Sequence, residues 1–287
     1  MIYRKLGNNG PTVSILGYGG WALGEEGWPD VESSSALSSL EVAFEEGITL
    51  YDTAPFYGRG LSEKRIGEVL ASVRHQIVIA TKCGIHWNDK KIWLSLSRDD
   101  ILREVEESLT RLRTDFIDLY QIHWYDQKTP LREVFLTLKE LQKQGIIRHI
   151  GVCNFPLPLL RKASTMAPLV SFQGEYNLLK RDVENDILPF CRENDIGFLA
   201  YSPLAQGLLA GRAFDPFSRA KDVRKHHPMY RRLSPFPAVT LHEALSFLLE
   251  KKEVSSLLIS MTKPHHVKQN VQLIEKILNH SPNMDLR

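Results

Sequence analysis

Cysteine is scarce. The chain has three, Cys83, Cys153 and Cys191, with no C-x-x-C spacing, and an odd number cannot all pair. A reducing, cytoplasmic setting is therefore expected. Long apolar runs are missing as well. None approaches the ~20 residues of a membrane-spanning helix, and Met1-Ile2-Tyr3-Arg4-Lys5 carries no signal-type apolar core. Excess charge of either sign is also absent. The 36 Lys and Arg against 34 Asp and Glu leave a net charge of +2, which argues against nucleic acid or an anionic membrane as main partner. No linker, internal repeat or low-complexity block interrupts the 287 residues, so one domain spanning 1–287 is expected. Finally, no G-x-G-x-x-G follows the first strand. Gly17-Tyr18-Gly19-Gly20 is too short to cradle a pyrophosphate on a helix start.

What is present is a rhythm. Tyr3 to Val13 reads as two short strands around an Asn/Gly turn. Short apolar runs then recur at 14–18, 48–51, 77–81, 116–122, 147–152, 169–172, 196–200 and 255–259. Such near-continuous runs suit parallel strands buried on both faces. Between them, helical periodicity fills 34–46, 62–72, 98–112, 131–144, 156–165, 182–194, 240–252 and 264–278. Residues 98–112 show Ile101, Leu102, Val105, Leu109 and Leu112 on one face, with acids early and arginines late, as the helix dipole prefers. Eight alternating units in a chain of this length predict an α/β fold, a closed (β/α)8 TIM barrel preceded by a short N-terminal β-hairpin.

In such a barrel the reactive groups sit where strands end at the C-terminal face. The first polar residues after the apolar runs are Asp52, with Tyr57 just beyond, then Lys82, His123, Cys153 and Asn154, Gln173, Tyr201 and Ser202, and Ser260. An Asp, a Tyr, a Lys and a His would thus converge on one mouth. Taken singly, each has a plain structural reading: Lys82 as a solvated strand cap, His123 as a bonded core histidine, Asp52 as a loop staple. Their occurrence at equivalent topological positions favours catalysis. A free phenol titrates near ~10 and is a poor donor at neutral pH. An ammonium ~4 Å away contributes about 4 kcal/mol at an effective dielectric of ~20, so Lys82 is expected to lower the pKa of Tyr57. Asp52 would keep Lys82 charged, and neutral His123 would orient a substrate oxygen. Together these groups protonate a developing alkoxide. The hydride that completes a carbonyl reduction must come from a cofactor.

From Gly7 to Asn270 the chain resembles the aldo-keto reductase family. Asp52-Thr53-Ala54 with Tyr57-Gly58, Lys82, Ile122-His123-Trp124, Gly151-Val152-Cys153-Asn154-Phe155 and the run from Tyr201 to Gly211 carry the resemblance. It implies NAD(P)H-dependent reduction of aldehydes or ketones, or the reverse alcohol oxidation, with a catalytic tetrad of Asp52, Tyr57, Lys82 and His123. Asn154 and Gln173 would hold the nicotinamide carboxamide and Tyr201 would stack on its ring. Gly20, Trp21, Asp52 and Cys153 would also lie at the cofactor. The loop holding Ser202, Pro203, Leu204, Gln206, Gly207 and Leu209, with Arg212, would cover the pyrophosphate. Ser260, Thr262, Lys263, His266, Gln269 and Asn270 would hold the adenosine end. Two departures matter. Cys153 stands where the family often has Ser, and His266 where many members carry Arg against the 2′-phosphate. Lys263 supplies a replacement charge, so NADP(H) is expected to be preferred, with NAD(H) as the alternative.

The basic loop 212–232 reads either as a solvated loop or as a lid over cofactor phosphates. Trp21, Trp87 and Trp124, with Phe56, Tyr57 and His123, are expected to wall the substrate pocket. Two other functions fit the residues less closely. One is a Schiff-base lyase using Lys82, which would need a neutral amine. The other is a nicotinamide-binding regulatory or sensor subunit with little turnover. A zinc site at His226-His227 or His265-His266 lacks further ligands at metal-site spacing, so no metal is expected.

Overall fold

The computed structural model describes residues 1–211, 217, 221–226 and 239–280. Strands β1 (Tyr3–Lys5) and β2 (Thr12–Ser14) pair antiparallel as the expected hairpin. Eight parallel strands then close a barrel: β3 (Leu16–Gly19), β4 (Leu50–Asp52), β5 (Val78–Cys83), β8 (Ile117–Ile122), β9 (Ile147–Cys153), β10 (Leu169–Glu175), β11 (Gly197–Tyr201) and β12 (Val254–Ile259). The helices between them are α1 (Ser33–Glu45), α2 (Leu61–Leu70), α3 (Arg98–Leu112), α4 (Leu131–Lys143), α5 (Leu157–Ser164), α6 (Ile187–Glu193), α7 (Leu241–Leu249) and α8 (Pro264–Asn279). Among the described residues no helix is long and apolar enough to cross a membrane.

Two apolar layers hold this together. The interior is filled by Leu50, Val78, Ala80, Leu119, Val170, Leu199 and Leu258, and Leu6 and Val13 of the hairpin close over them. The outer layer lies between strands and helices and includes Tyr51, Ile79, Tyr120 and Ile150. The period-2 alternation of strands sorts residues between the layers. On β4, Leu50 faces in and Tyr51 out, which returns Asp52 to the interior. On β5 the same count brings Lys82 inward and sends Cys83 outward. The register pairs Asp52 with Ala80 and Lys82 with Gln121. The acid and the ammonium therefore meet inside, at the upper end of the barrel.

Two elements differ from expectation. Residues 85–94 form a second hairpin, β6 (Ile85–Trp87) with β7 (Ile92–Leu94), where the apolar pattern predicted nothing. Its turn is made by Asn88, whose Oδ1 accepts the amides of Lys90 and Lys91 at 2.9 Å. The helix expected over 182–194 breaks into a 3-10 turn, Asp182–Glu184, and α6. Asp186 caps the amide of Ile187, and Pro189 sits in the first turn, where a missing N–H costs little.

Helix α3 buries Ile101, Val105, Ser108 and Leu112, and with them Glu104. Burial pushes the Glu104 carboxyl up to about 8. The folded chain therefore holds a proton that the unfolded chain releases near 4.5, and stability is lost as pH rises from about 4.5 to about 8. Glu104→Gln is expected to remove this loss. Denaturant midpoints at pH ~5 and ~8 should converge in the variant relative to wild type; an unchanged pH difference would show that Glu104 is not its source.

Candidate active site

At the upper barrel end, Lys82 is fully buried and Asp52 nearly so. Lys82 Nζ donates to Asp52 Oδ1 at 2.9 Å, to Oδ2 at 2.8 Å, to the Thr53 carbonyl at 2.8 Å and to Tyr57 Oη at 3.3 Å. Gln173 Nε2 donates to Asp52 Oδ1 at 2.7 Å. Tyr57 is carried there by a turn in which its amide bonds the Ala54 carbonyl at 3.0 Å. The turn needs Gly58, which has φ +60° and would place a Cβ 2.1 Å from the Gly24 carbonyl oxygen. His123 presents its ring edge-on to Tyr57, centroids 6.0 Å apart, and its amide bonds the Cys83 carbonyl at 2.9 Å. Asp52, Tyr57, Lys82 and His123 thus come together.

Their electrostatics correct one expectation. Burial pushes the Tyr57 phenol up to about 12, against the opposing pull of Lys82. Pairing with an ammonium does not lower its pKa on balance, because the desolvation of a buried phenolate outweighs the 3.3 Å contact. Tyr57 is therefore fully protonated at neutral pH, the form a proton donor needs. Burial works against the Lys82 ammonium too, but Asp52 and Tyr57 overcome it and hold the amine well above its ordinary value. Burial, then Lys82, drives His123 well below the ordinary imidazole range, so it is neutral.

Above this cluster opens a cavity of about 590 Å³, within the range of small-molecule and cofactor sites. Gly20, Trp21, Asp52, Phe56, Tyr57, His123 and Trp124 line one part of it. Asn154, Gln173, Tyr201, Ser202, Pro203, Leu204, Gln206 and Gly207 line another, and Ser260, Thr262, Lys263, His266, Gln269 and Asn270 a third. Tyr201 Oη donates to Asn154 Oδ1 at 3.0 Å, and Asn154 Nδ2 donates to the His123 carbonyl at 3.2 Å. Ser202, Ala205, Gln206 and Gly207 all have positive φ, in a loop that lines the cavity. At the far end α8 begins at Pro264, just after the cavity-lining Lys263, with no side-chain cap on its first amides, a setting that favours phosphate. The residues present fit an elongated dinucleotide: amides and an aromatic ring near the tetrad, a backbone-rich loop in the middle, and a cation with a helix start at the far end.

Three sequence expectations fall elsewhere, and a fourth lies outside the described residues. Cys153 is fully buried beneath the cavity. Leu209 turns away into a small apolar cluster with Ala205, Leu208 and Ala244. Trp87 stands behind Phe56, ring centroids 6.0 Å apart, and does not line the cavity. Arg212 lies outside the described residues, as does most of loop 212–232. The part described contributes what the sequence reading missed. Arg224 reaches the cavity, bonds both oxygens of Asp222 at 2.9 and 2.6 Å, and lies over the Trp28 ring at 5.2 Å. Trp28, Asp30 and Val31 line the same wall, and the Val223 amide bonds the Gly27 carbonyl at 2.9 Å. Trp28 touches Trp21 edge-on at 5.3 Å, and Trp21 lies 6.3 Å from the Tyr57 ring. An aromatic beside a predicted pocket tryptophan was the available signal. Among the described residues no cluster of three or more His, Cys, Asp and Glu could hold a metal ion.

These features define a (β/α)8-barrel enzyme whose cavity runs from a buried Asp–Lys–Tyr cluster to an uncapped helix start. The chain belongs to the aldo/keto reductase family, whose model matches residues 15–283, and so to the oxidoreductases that interconvert carbonyls and alcohols with NAD(P)(H). It is 37% identical over 235 residues to the aldo-keto reductase YhdN of Bacillus subtilis, covering 81% of this chain and 71% of that protein. It is 35% identical to an NADH-specific methylglyoxal reductase of Escherichia coli, covering 93% of this chain and 91% of the other. Among solved structures, the aldo-keto reductase AKR11C1 of Bacillus halodurans in its holo form superposes with a TM-score of 0.81 at 29% identity, covering 96% and 91% of the two chains. The glycerol dehydrogenase AKR11B4 of Gluconobacter oxydans also gives 0.81, at 31% identity, covering 98% and 96%.

Because His123 is held neutral, kcat/KM for carbonyl reduction should show no one-proton break between pH ~5.5 and ~8, where an ordinary imidazole titrates near ~6.5. A break in that window that disappears in His123→Gln would place the imidazole in its ordinary range and contradict this assignment.

Proposed function

We propose that this barrel, acting as one unit, reduces small aldehydes or ketones, with Tyr57 as the proton donor. The observation that carries the reading is the 3.3 Å contact between Tyr57 Oη and a fully buried Lys82 whose charge Asp52 fixes. NAD(P)H, when bound, supplies the hydride. Asn154, Gln173 and Tyr201 stand where they would orient the nicotinamide, and neutral His123 offers a ring N–H to the carbonyl oxygen. As negative charge grows on that oxygen, Tyr57 gives up its proton and Lys82, 3.3 Å away, stabilises the phenolate left behind. The charge held on Lys82 disfavours a Schiff-base role, which needs a free amine. Three buried free thiols suit a reducing cytoplasm. The test is a panel of aldehydes and ketones with NADPH or NADH, followed by loss of the reduced nicotinamide's absorbance. Turnover of one or more is expected; tight cofactor binding with no turnover of any would favour a sensor instead.

We also propose a preference for NADP(H). Lys263 immediately precedes α8 and lines the cavity, where its ammonium would meet the 2′-phosphate. Lys263→Ala should raise KM for NADPH about tenfold, ~1.4 kcal/mol, with little effect on KM for NADH. An equal effect on both cofactors would rule out this contact.

A further inference from the structure

Helix α3 carries a carboxyl on its inward stripe, between Ile101 and Val105, where its periodicity calls for an apolar residue. Glu104 is 4% exposed and lies outside the cavity, behind β5. Its Oε2 accepts the amide of Gly84 at 2.8 Å and lies 3.6 Å from Nε2 of His86, which donates to the Ser95 carbonyl at 3.1 Å. Gly84 is two residues beyond Lys82. The Cys83 carbonyl accepts the His123 amide at 2.9 Å, and the Gly84 carbonyl accepts the Ser95 amide at 3.2 Å. Gly84 has φ +102°, and a Cβ there would lie 2.8 Å from Leu96 Cδ2. The turn leaving β5 is thus tied on three sides: to the end of β8, to the residue after β7, and through Glu104 to α3.

We propose that Glu104 is a positioning residue for the reaction: by holding the Gly84 amide it fixes the end of β5, and with it the reach of Lys82 to Tyr57 and the seat of His123. The proposal rests on the reading of Tyr57 and Lys82 given above. Displacement of a reacting group by ~1 Å can cost about 100-fold in rate, and the Lys82–Tyr57 contact is already at 3.3 Å. The surroundings show why a carboxyl suffices in either protonation state. Burial raises it to about 8, and Asp100 on its own helix and Glu63 on α2 add to the rise. The Gly84 bond and Arg103 oppose it, and Cys83 and Tyr120 lie within electrostatic reach from β5 and β8. Glu63 is itself satisfied by Thr81 and Arg111. Neutral at pH 7, Glu104 still offers a carbonyl oxygen to the Gly84 amide, and glutamine offers the same oxygen.

The test compares Glu104→Gln with Glu104→Leu, and with Glu104→Met should the branched side chain not fold. Each variant's rate is normalised to the cofactor-binding sites counted by titration. Gln should keep at least roughly a third of kcat. Leu or Met should lose about tenfold or more in kcat, with KM for the carbonyl and Kd for NADPH within about threefold. Loss of the bond but not of the rate in Leu or Met would overturn the proposal, and so would a Gln variant as impaired as Leu. Tyr57→Phe is measured alongside. If it stays active, the reading of the tetrad fails; if it is inactive while Leu and Met keep their rate, only the role of Glu104 fails.

Discussion

Tyr57→Phe is expected to lose 100- to 10,000-fold in kcat, the usual worth of a positioned general acid, while Kd for NADPH changes by less than about twofold. The geometry argues for the split. Tyr57 Oη is the cluster's hydroxyl that faces the cavity, at 3.3 Å from Lys82. Removing it takes away the proton, but the ring stays in place against Trp21 and His123. No buried charge is stranded, since Lys82 keeps both oxygens of Asp52 and the Thr53 carbonyl. Stability should therefore hold. A variant retaining most of wild-type kcat would assign the acid to another group, and one that loses cofactor affinity in step would show that Tyr57 mainly binds. Stopped-flow turnover with fluorescence titration of NADPH separates the two.

The second large effect concerns the buried pair. Lys82→Met strips the buried Asp52 carboxyl of its ammonium partner, with Gln173 as its remaining side-chain donor at 2.7 Å. Breaking a buried ion pair from one side typically costs ~3–5 kcal/mol, so both activity and stability should collapse. Asp52→Asn in the same chain removes the stranded carboxyl. The double variant should regain most of the stability and none of the activity, because the ammonium that stabilises the phenolate is still missing. Denaturant midpoints and kcat on the same samples decide this. If the single and double variants are equally unstable, the charge is not what the pair secures; if the double variant turns over, Lys82 is not needed for the proton.

The fold was legible because short apolar runs and helical periods alternate eight times along the chain. Seven of the strand-end residues read from the apolar runs, Asp52, His123, Asn154, Gln173, Tyr201, Ser202 and Ser260, line the cavity, and Lys82 stands directly beneath it. That rule works because inward-facing positions follow from counting by two along each strand. It fails where position depends on contacts between loops. Trp28 and Arg224 meet across nearly two hundred residues, through a Val223–Gly27 bond that no local pattern announces. Trp87 was misplaced for the same reason: the β6–β7 hairpin turns on a single Asn88 side chain and sets Trp87 behind Phe56. The sign of the Tyr57 pKa also lay beyond the sequence. It depends on depth of burial, which outweighs a charge that counting residues does reveal. Glu104 was present on the inward stripe of α3, but only the structure shows the Gly84 amide that it holds.

The central claim is that hydride passes from the nicotinamide to a carbonyl carbon while Tyr57 protonates the oxygen. It is tested most directly by one turnover experiment with NADPH deuterated at the transferring position and an aldehyde accepted by the enzyme. The alcohol formed should carry one deuterium on its carbinol carbon for each cofactor oxidised, and the same incubation with Tyr57→Phe should form almost none. Deuterium released to solvent, product formed without cofactor oxidation, or equal product from Tyr57→Phe would contradict the claim.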